Sequence, residues 1–274
     1  MNQRLLTNSL IFFIGTIILS IFNYLYNTFM GRYLGPADYS ILSSLLAFMT
    51  IITMPTNAIA TVAMRFAAFY HAKDSDGTIH AFLNHLTKRL TVLGLIAFAI
   101  LAFGSPLLTN FLKLPSNVPA LLFSPLIALF ILLPLNRGIL QGMQQFKATI
   151  FNQGIDPFFK LILGVGLVKL GFGVNGAIVA VLLGTIFAYL ASYWPLRSIR
   201  KVATKAITHM PPEVKEYSYV ALVAFSLSTV MMSMDIILVK HYLSSYDAGL
   251  YAALSTMGKI ILFVTTPIVG VMFP

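Results

Sequence analysis

Four ionisable residues fall inside long apolar segments of this sequence, where a charge is costly. Asp156 and Lys160 lie four residues apart in one segment, Asp235 lies near the end of another, and Lys259 lies about ten residues into the last. A charged side chain at the centre of a membrane helix costs about 2.5 to 3.5 kcal/mol on insertion scales, so such residues usually face a cavity or a partner. The four residues therefore predict a polar pathway between helices, in which lysines bind an anion and acids bind a proton or a sodium ion.

These charges also have structural explanations that the sequence alone leaves open. Asp156 and Lys160 have the i, i+4 spacing of an ion pair on one helix face. Lys240 follows Asp235 by five residues and could extend its side chain to the membrane surface without any binding role. No residue close in the sequence neutralises Lys259, so a binding role is favoured most strongly at that position.

The first apolar segment carries a polar face. Thr16, Ser20, Asn23 and Asn27 follow one another at intervals of four, three and four residues, which places them on one side of a helix. In a membrane helix such a face either lines a cavity or forms hydrogen bonds that join neighbouring helices. We treat Asn23 and Asn27 as candidate cavity residues, and both explanations stay open.

The elements that must position these residues are membrane helices. The chain of 274 residues is 58% hydrophobic and 9% charged, and its mean hydropathy is +0.87, whereas soluble domains carry about 25% charged residues. A helix needs about 20 mostly apolar residues to span a bilayer, and about eight such segments are present. The sequence therefore predicts an all-α, polytopic membrane protein. The segments cover residues 9–31, 40–64, 89–111, 118–136, 148–170, 175–195, 217–240 and 249 to the end.

Basic residues are distributed unequally between the two sides of these helices. With the N-terminus placed in the cytoplasm, twelve of the 18 lysines and arginines fall in inner segments and four in outer turns. This bias predicts a multi-pass protein of the cytoplasmic membrane with a cytoplasmic N-terminus. It also explains much of the net charge of +10, so no nucleic-acid partner is expected. The chain has no cysteine, which excludes disulfides and thiolate metal sites, and no metal site is expected.

Residues 171–176 read G-x-G-x-x-G, a pattern known from dinucleotide-binding loops. That function requires a preceding strand and a later acidic residue in a βαβ unit, and here the pattern lies between apolar helices. We therefore predict a tight outer turn and no cofactor at this position.

Two segments echo one another at an offset of 209 residues. Arg32-Tyr33-Leu34 closes one apolar span and is followed by Asp38, and His241-Tyr242-Leu243 closes another and is followed by Asp247. The copies are six helices apart, an even number, so both run through the membrane in the same direction. The echo therefore predicts a parallel repeat of two related halves, an architecture typical of transporters.

The repeat also predicts how the chain is organised. A first six-helix half covers residues 1–196, a basic cytoplasmic linker covers 197–216, and the first two helices of a second half cover 217–274. The chain stops inside an apolar run, which leads us to expect that the second half is truncated.

Three stretches carry a family resemblance. The first is Gly31-Arg32-Tyr33-Leu34-Gly35-Pro36-Ala37-Asp38-Tyr39-Ser40, and the second is Arg137-Gly138-Ile139-Leu140-Gln141-Gly142. The third is Asp235-Ile236-Ile237-Leu238-Val239-Lys240-His241-Tyr242-Leu243, and it continues to Ala248-Gly249-Leu250-Tyr251. In this order they resemble polysaccharide and oligosaccharide flippases of the MATE-like multidrug/oligosaccharidyl-lipid/polysaccharide exporter superfamily. Ser40 departs from the glycine usual in that family, although Gly249 keeps it in the second copy. The sequence also holds about eight helices, fewer than the family's full set.

The resemblance implies a transporter, not an enzyme, that flips lipid-linked oligosaccharide or polysaccharide precursors across the membrane by alternating access. Its partners would be that substrate and the membrane lipids, and it would need no cofactor apart from a coupling proton or sodium ion. The family commonly has a cationic cavity, so Lys259 and Lys160 are expected to bind the anionic head group, and Asp156 or Asp235 to bind the coupling ion. The oligomeric state stays open.

Two alternatives stay open as well. A cation-coupled multidrug exporter of the same superfamily would favour acidic and aromatic cavity residues over lysines. A membrane-embedded glycosyltransferase or polymerase would need a clustered acid/base or metal site in a sizeable loop, and the longest connections here, of about 25 residues, carry no such cluster.

Overall fold

The computed structural model describes residues 3–73, 75–205, 227 and 230–258, with side chains from residue 13 onward. Within these ranges the chain forms helices and no β-strand, so the expected all-α fold is confirmed. In chain order the elements are α1 (Gln3–Ile52), α2 (Pro55–His71), α3 (Asp76–Phe103), α4 (Ser105–Phe111), α5 (Val118–Phe123), α6 (Leu126–Gly142), α7 (Phe146–Leu167) with a wider turn at Val168–Phe172, α8 (Gly173–Ser192), α9 (Arg197–Arg200), α10 (residues 230–242) and α11 (Ser245–Gly258).

Among the residues that the structure describes, four helical stretches are long and apolar enough to cross a membrane: Phe13–Ile52, Asp76–Phe103, Val118–Gly142 and Phe146–Ser192. The first and the last contain 40 and 47 residues, about twice the length that one crossing needs. Each of these two stretches therefore holds two of the predicted spans. The expectation of a multi-pass membrane protein is confirmed.

Glycines with positive φ angles interrupt both of the longest stretches. Gly35 has a φ of 73° and a ψ of 170°, a conformation that a Cβ atom would strain, and Pro36 begins the next helical segment. Gly171 and Gly173 have φ angles of 92° and 53°, and α7 and α8 pack against each other on either side of them. The tight turn predicted from the glycine pattern is therefore confirmed, and Gly35 separates the first two predicted spans.

Three helix boundaries differ from the predicted ones. The second predicted span is divided, because a two-residue turn precedes α2, which then continues to His71. α3 begins at Asp76 instead of residue 89, and α6 ends at Gly142 instead of residue 136. The predicted boundaries differ because they lie where the apolar residues stop, whereas a helix continues through polar residues for as long as its backbone hydrogen bonds are made.

α6 packs closely against α2 through two glycines. A Cβ atom on Gly138 would lie 2.3 Å from the carbonyl oxygen of Ala60, and one on Gly142 would lie 2.2 Å from that of Met64. The two glycines are four residues apart, which is the small-x-x-x-small spacing that lets membrane helices approach with their backbones in contact. α3, α7 and α8 also pack against α6, which places α6 at the centre of this part of the bundle.

α10 and α11 repeat the break that divides α1. α10 ends at residue 242, Ser244 lies outside the helices, and α11 begins at Ser245. At the offset of 209 residues, Ser244 and Ser245 correspond to Gly35 and Pro36. Both copies of the sequence echo are therefore a helix, a break and a second helix, and α11 packs along α1.

The first part of the predicted linker packs on the start of α3. The Lys205 amide donates to the Gly77 carbonyl at 3.1 Å, and the Val202 carbonyl lies 2.7 Å from Nδ1 of His80. Residues 206–226 lie outside the described residues, as does the chain from residue 259 onward. The division into halves at 1–196 and 217–274 with a linker at 197–216 stays a prediction.

Candidate functional site

One face of α7 carries three polar side chains at four-residue intervals. Asn152, Asp156 and Lys160 lie one above another on the same side of the helix. α1, α6 and α8 pack against α7 and supply the partners of these side chains. The following side chains are called the α7 network: Asn23, Arg137, Asn152, Asp156, Lys160 and Thr185.

The Lys160 ammonium is held by α1. Its Nζ donates to Oδ1 of Asn23 at 2.6 Å and lies 4.9 Å from the centre of the Tyr26 ring. Nδ2 of Asn23 donates to the Leu19 carbonyl at 3.0 Å, which turns Oδ1 towards the lysine. Two predicted site residues, Lys160 and Asn23, thus bind each other across a helix interface, and the lysine takes this amide in place of a carboxylate as its hydrogen-bond partner.

The Asp156 carboxylate is held by α8. Oγ1 of Thr185 lies 3.1 Å from Oδ1 of Asp156 and 2.9 Å from the Val181 carbonyl oxygen, so these two acceptors share its one proton. Gly184 allows this close approach, because a Cβ atom there would lie 2.9 Å from the Asp156 carbonyl oxygen. The carboxylate attracts both Arg137 and Lys160. With all three groups ionised, the α7 network carries two cations and one anion.

Arg137 belongs to this network, although the sequence pattern does not predict it as a site residue. The predicted span ends at residue 136 and assigns Arg137 to an inner segment, whereas α6 continues to Gly142 and holds it within the helix. Its Nε donates to Oδ1 of Asn152 at 2.9 Å, and its Nη2 lies 3.3 Å from the Asn152 carbonyl oxygen. The apolar pair Ile139-Leu140 after Arg137 is the signal that would have kept it inside the span.

The two cations stand at opposite ends of a polar stripe. Asn152, which binds Arg137, and Lys160 are eight residues apart on α7, or about 12 Å at a rise of 1.5 Å per residue. A guanidinium has five N–H groups and an ammonium has three, so both side chains keep donors beyond the bonds described. Such a stripe can bind an anion with several oxygen atoms, such as a pyrophosphate.

Asp235 forms a second polar group, between α10 and α11. Its Oδ2 accepts hydrogen bonds from the Tyr251 hydroxyl at 3.0 Å and from Oγ of Ser255 at 3.4 Å. Its Oδ1 is buried and has no partner among the described residues. A buried carboxylate oxygen without a donor is unfavourable, so this oxygen is suited to bind a proton or a small cation. In the same described ranges, no cluster of three or more histidine, aspartate or glutamate residues could hold a metal ion.

Asn27 lies apart from the α7 network, in the wall of a cavity between α1 and α11. The cavity has a volume of about 230 Å³, and its walls include Asn27, Arg32 and Tyr39 from α1 and Thr256 from α11. Nδ2 of Asn27 donates to the carbonyl of Asn23 at 3.0 Å. The polar face of the first helix therefore serves two places, the cavity and the α7 network.

Lys259, the other lysine expected to bind a head group, lies outside the described residues. Of the five predicted site residues that are described, the structure brings Asn23, Asp156 and Lys160 together. The other two stand in separate places, one in the cavity wall and one between α10 and α11.

The family model for polysaccharide biosynthesis proteins matches residues 5–274. The chain belongs to the polysaccharide biosynthesis protein family. This match confirms the resemblance that the three quoted sequence stretches carry. No curated protein gives a significant match to the chain.

Solved structures share the fold of this polysaccharide biosynthesis protein. A chain named protein A has a TM-score of 0.80 at 16% identity, and the match covers 99% of this chain and 63% of that one. A MOP superfamily transporter from Pyrococcus furiosus has a TM-score of 0.64 at 16% identity, covering 94% and 68%. The inward-facing form of a multidrug resistance MATE family transporter has a TM-score of 0.70 at 16% identity, covering 94% and 63%.

At these identities the likeness shows the fold. The chain spans about 63% of the length of the first of these structures. The second and third are a MOP superfamily transporter and a MATE family transporter, and this chain is similar to both in fold.

Proposed function

We propose that this polysaccharide biosynthesis protein flips a lipid-linked oligosaccharide, or a related polysaccharide precursor, across the cytoplasmic membrane. The observation that carries the proposal is the α7 network, in which Lys160 and Arg137 place two cations within helices beside one carboxylate. Membership of the family supports the substrate class, and the shared transporter fold supports the movement. The N-terminus lies in the cytoplasm in this proposal, as the distribution of basic residues predicts.

The chemistry of such a substrate explains why the cations are needed. A sugar pyrophosphate is too polar for hydrocarbon, where each unpaired polar group costs several kcal/mol, whereas its prenyl tail is stable in lipid. In our proposal the tail stays in the bilayer while Lys160 and Arg137 bind the phosphates. Lys259 is a further phosphate ligand in this proposal. The two predicted halves rock against each other and expose the site to one side of the membrane at a time.

Reconstitution tests the proposal directly. Proteoliposomes that contain the protein expressed from its natural gene are expected to move a fluorescent oligosaccharide head group, linked to polyprenyl pyrophosphate, across the bilayer. The variant Lys160→Met is expected to slow this movement about tenfold or more. The reason is that the substrate phosphate loses its contact with the Lys160 ammonium, and losing one partner of a desolvated charge pair costs about 2 kcal/mol or more. The measurement is the fraction of the label that a membrane-impermeant quencher reaches over time.

Lys169→Met is the matched control for this experiment. It also removes one lysine, but Lys169 is exposed in the turn between α7 and α8, where its ammonium lies 5.1 Å from the Tyr33 ring centre. Its rate is expected to stay within about twofold of the parent. Lipid movement that does not depend on the protein would contradict the flippase, and an unchanged rate in Lys160→Met would contradict the role of Lys160 alone.

A multidrug exporter is the second candidate, because a multidrug resistance MATE family transporter shares the fold. A site for a cationic drug requires an excess of acidic groups, whereas the α7 network has an excess of cations. We therefore expect the same proteoliposomes not to accumulate a cationic dye. Dye uptake without movement of the lipid-linked sugar would reverse our preference between the two functions.

We propose Asp235 as the site of the coupling proton or sodium ion. Its Oδ1 is buried without a partner in the described part of the chain, whereas the Asp156 carboxylate interacts electrostatically with two cations, Arg137 and Lys160. The variant Asp235→Asn keeps the shape of the side chain but not its charge. It is expected to remove the stimulation of lipid movement by a proton or sodium gradient while movement without a gradient continues.

Asp76→Asn is the control for Asp235. Asp76 is paired with His71 at 2.9 Å at the start of α3, away from the proposed pathway. Gradient stimulation is expected to persist in Asp76→Asn, and its persistence in Asp235→Asn would contradict our assignment. Loss of stimulation in Asp156→Asn but not in Asp235→Asn would assign the coupling ion to the α7 network instead.

A further inference from the structure

The break in α1 and the break between α10 and α11 meet each other in the structure. We call residues 35–40 and 240–249 together the break contact. Gly249 lies against the backbone of Pro36, so closely that a Cβ atom there would be 1.8 Å from the Pro36 carbonyl oxygen. Beside it, Nζ of Lys240 donates to Oγ of Ser40 and to Oγ of Ser245, each at 2.9 Å.

These two contacts are related by the sequence repeat. At the offset of 209 residues, Pro36 corresponds to Ser245 and Ser40 corresponds to Gly249. Replacing both residues of the Pro36–Gly249 contact by their equivalents therefore gives the pair Ser245 and Ser40, which Lys240 bridges. A two-fold axis between two equivalent surfaces produces such exchanged pairs. The break contact thus joins equivalent surfaces of the two copies, at the end of the bundle that the charge bias predicts to be outer.

Lys240 is buried in this contact with little to compensate its charge. Its side chain is 2% exposed, and in the described ranges no carboxylate lies within 4 Å of its ammonium. Asp38 and Lys113 act on it from a greater distance with opposite signs. A buried ammonium that donates to two neutral hydroxyls is less stable than a hydrated one. Separation of the two copies would return Lys240 to water.

Further contacts between helices lie on either side of the break contact. The His241 ring stacks on the Phe111 ring with centroids 4.6 Å apart, and its Nδ1 lies 2.7 Å from the Phe111 carbonyl oxygen. The Tyr39 hydroxyl lies 3.3 Å from Oγ1 of Thr256. The cavity of about 230 Å³ adjoins the break contact, since Tyr39 and Gly249 line both. The break contact therefore closes one end of the space between α1 and α11.

We propose that the break contact is a gate and that Lys240 is the positioning residue that keeps its closed form reversible. The backbone approach at Gly249 holds the gate closed. The bonds from Lys240 to the two hydroxyls offset only part of the cost of desolvating its ammonium. The net effect of Lys240 therefore opposes closure, and the gate reopens readily. A carrier that alternates between two open states needs such a gate, and in this respect the inference rests on the proposed transport function.

A single cysteine measures opening of the gate. The chain has no cysteine of its own, and Ala252 is fully buried on the face of α11 that also holds Gly249 and Thr256. In the Ala252→Cys protein, a membrane-impermeant maleimide is added separately to each side of the native membrane. Adding Lys240→Met is expected to slow labelling from the gate side about tenfold, because the closed form no longer buries a charge.

Ser40→Ala is expected to have the opposite effect. It removes one of the two hydroxyls that bind the ammonium, so the closed form is less stable and labelling from the gate side is several-fold faster. Lys169→Met, which removes an exposed lysine, is expected to leave the labelling rate unchanged.

Equal labelling in Lys240→Met and its parent, or faster labelling in Lys240→Met, would overturn the proposal. Opposite shifts in Lys240→Met and Ser40→Ala would exclude a general loss of folding as their cause. The labelling needs no lipid-linked sugar. A gate can therefore be confirmed when flipping fails, and flipping can be confirmed when the gate variants have no effect.

Discussion

Valine at Gly138 or Gly142 is expected to prevent stable folding of the helix bundle. The first carbon of either side chain would lie 2.3 or 2.2 Å from a carbonyl oxygen of α2, far inside van der Waals contact, and it would meet backbone that has no rotamer to change. Relief requires separation of α2 from α6, the helix at the centre of this part of the bundle. We expect the free energy of unfolding to fall by about 3 kcal/mol or more at each position, the upper end of what overpacking costs.

The measurement is the yield of folded protein in detergent together with its thermal midpoint. Gly166→Val is the matched control, because Gly166 also lies within a membrane helix but no atom lies within 4 Å of the position of its added Cβ. The control is expected to change the thermal midpoint little. Wild-type stability in Gly138→Val and Gly142→Val would show that α2 and α6 do not pack with these glycines against the α2 backbone.

The sequence predicts the parts of this fold that depend on local composition. Apolar length identifies the membrane helices, and the glycine pattern at residues 171–176 predicts a turn that positive φ angles then confirm. The echo marks the ends of two equivalent spans, and the structure has a break at each of them, at Gly35 and at Ser244. In each case the information lies within a few consecutive residues, because the backbone there has few alternatives.

The sequence does not predict the parts that depend on packing between distant residues. Arg137 and Asn152 are 15 residues apart, Asn23 and Lys160 are 137 residues apart, and Lys240 and Ser40 are 200 residues apart. Helix periodicity places each of these side chains on a face but does not say which helix that face will meet. Lys240 therefore reads as a side chain that extends to the membrane surface, whereas it is buried against hydroxyls.

Asp156→Asn is expected to destabilise the protein more than any other neutral replacement in the α7 network. The amide keeps the size of the side chain and can still accept the hydrogen bond from Thr185. It leaves Arg137 and Lys160 without the carboxylate that attracts both of them. Removing one partner from a buried group of charges costs about 3 to 5 kcal/mol, and a loss of this size should appear as a lower thermal midpoint in detergent.

A second substitution separates charge balance from every other effect of Asp156→Asn. The double variant Asp156→Asn with Lys160→Met has one buried cation instead of two, so part of the lost stability should return. Lys160→Met alone leaves Arg137 balanced by Asp156 and is expected to keep nearly normal stability while the flipping rate falls. Thr185→Val retains all three charges and removes the hydroxyl proton that Asp156 shares with the Val181 carbonyl, at a cost of about 1 kcal/mol. Equal destabilisation by Asp156→Asn and Thr185→Val would show that the hydrogen bond, not the charge, is what Asp156 contributes, and the two cations would then need another source of neutralisation.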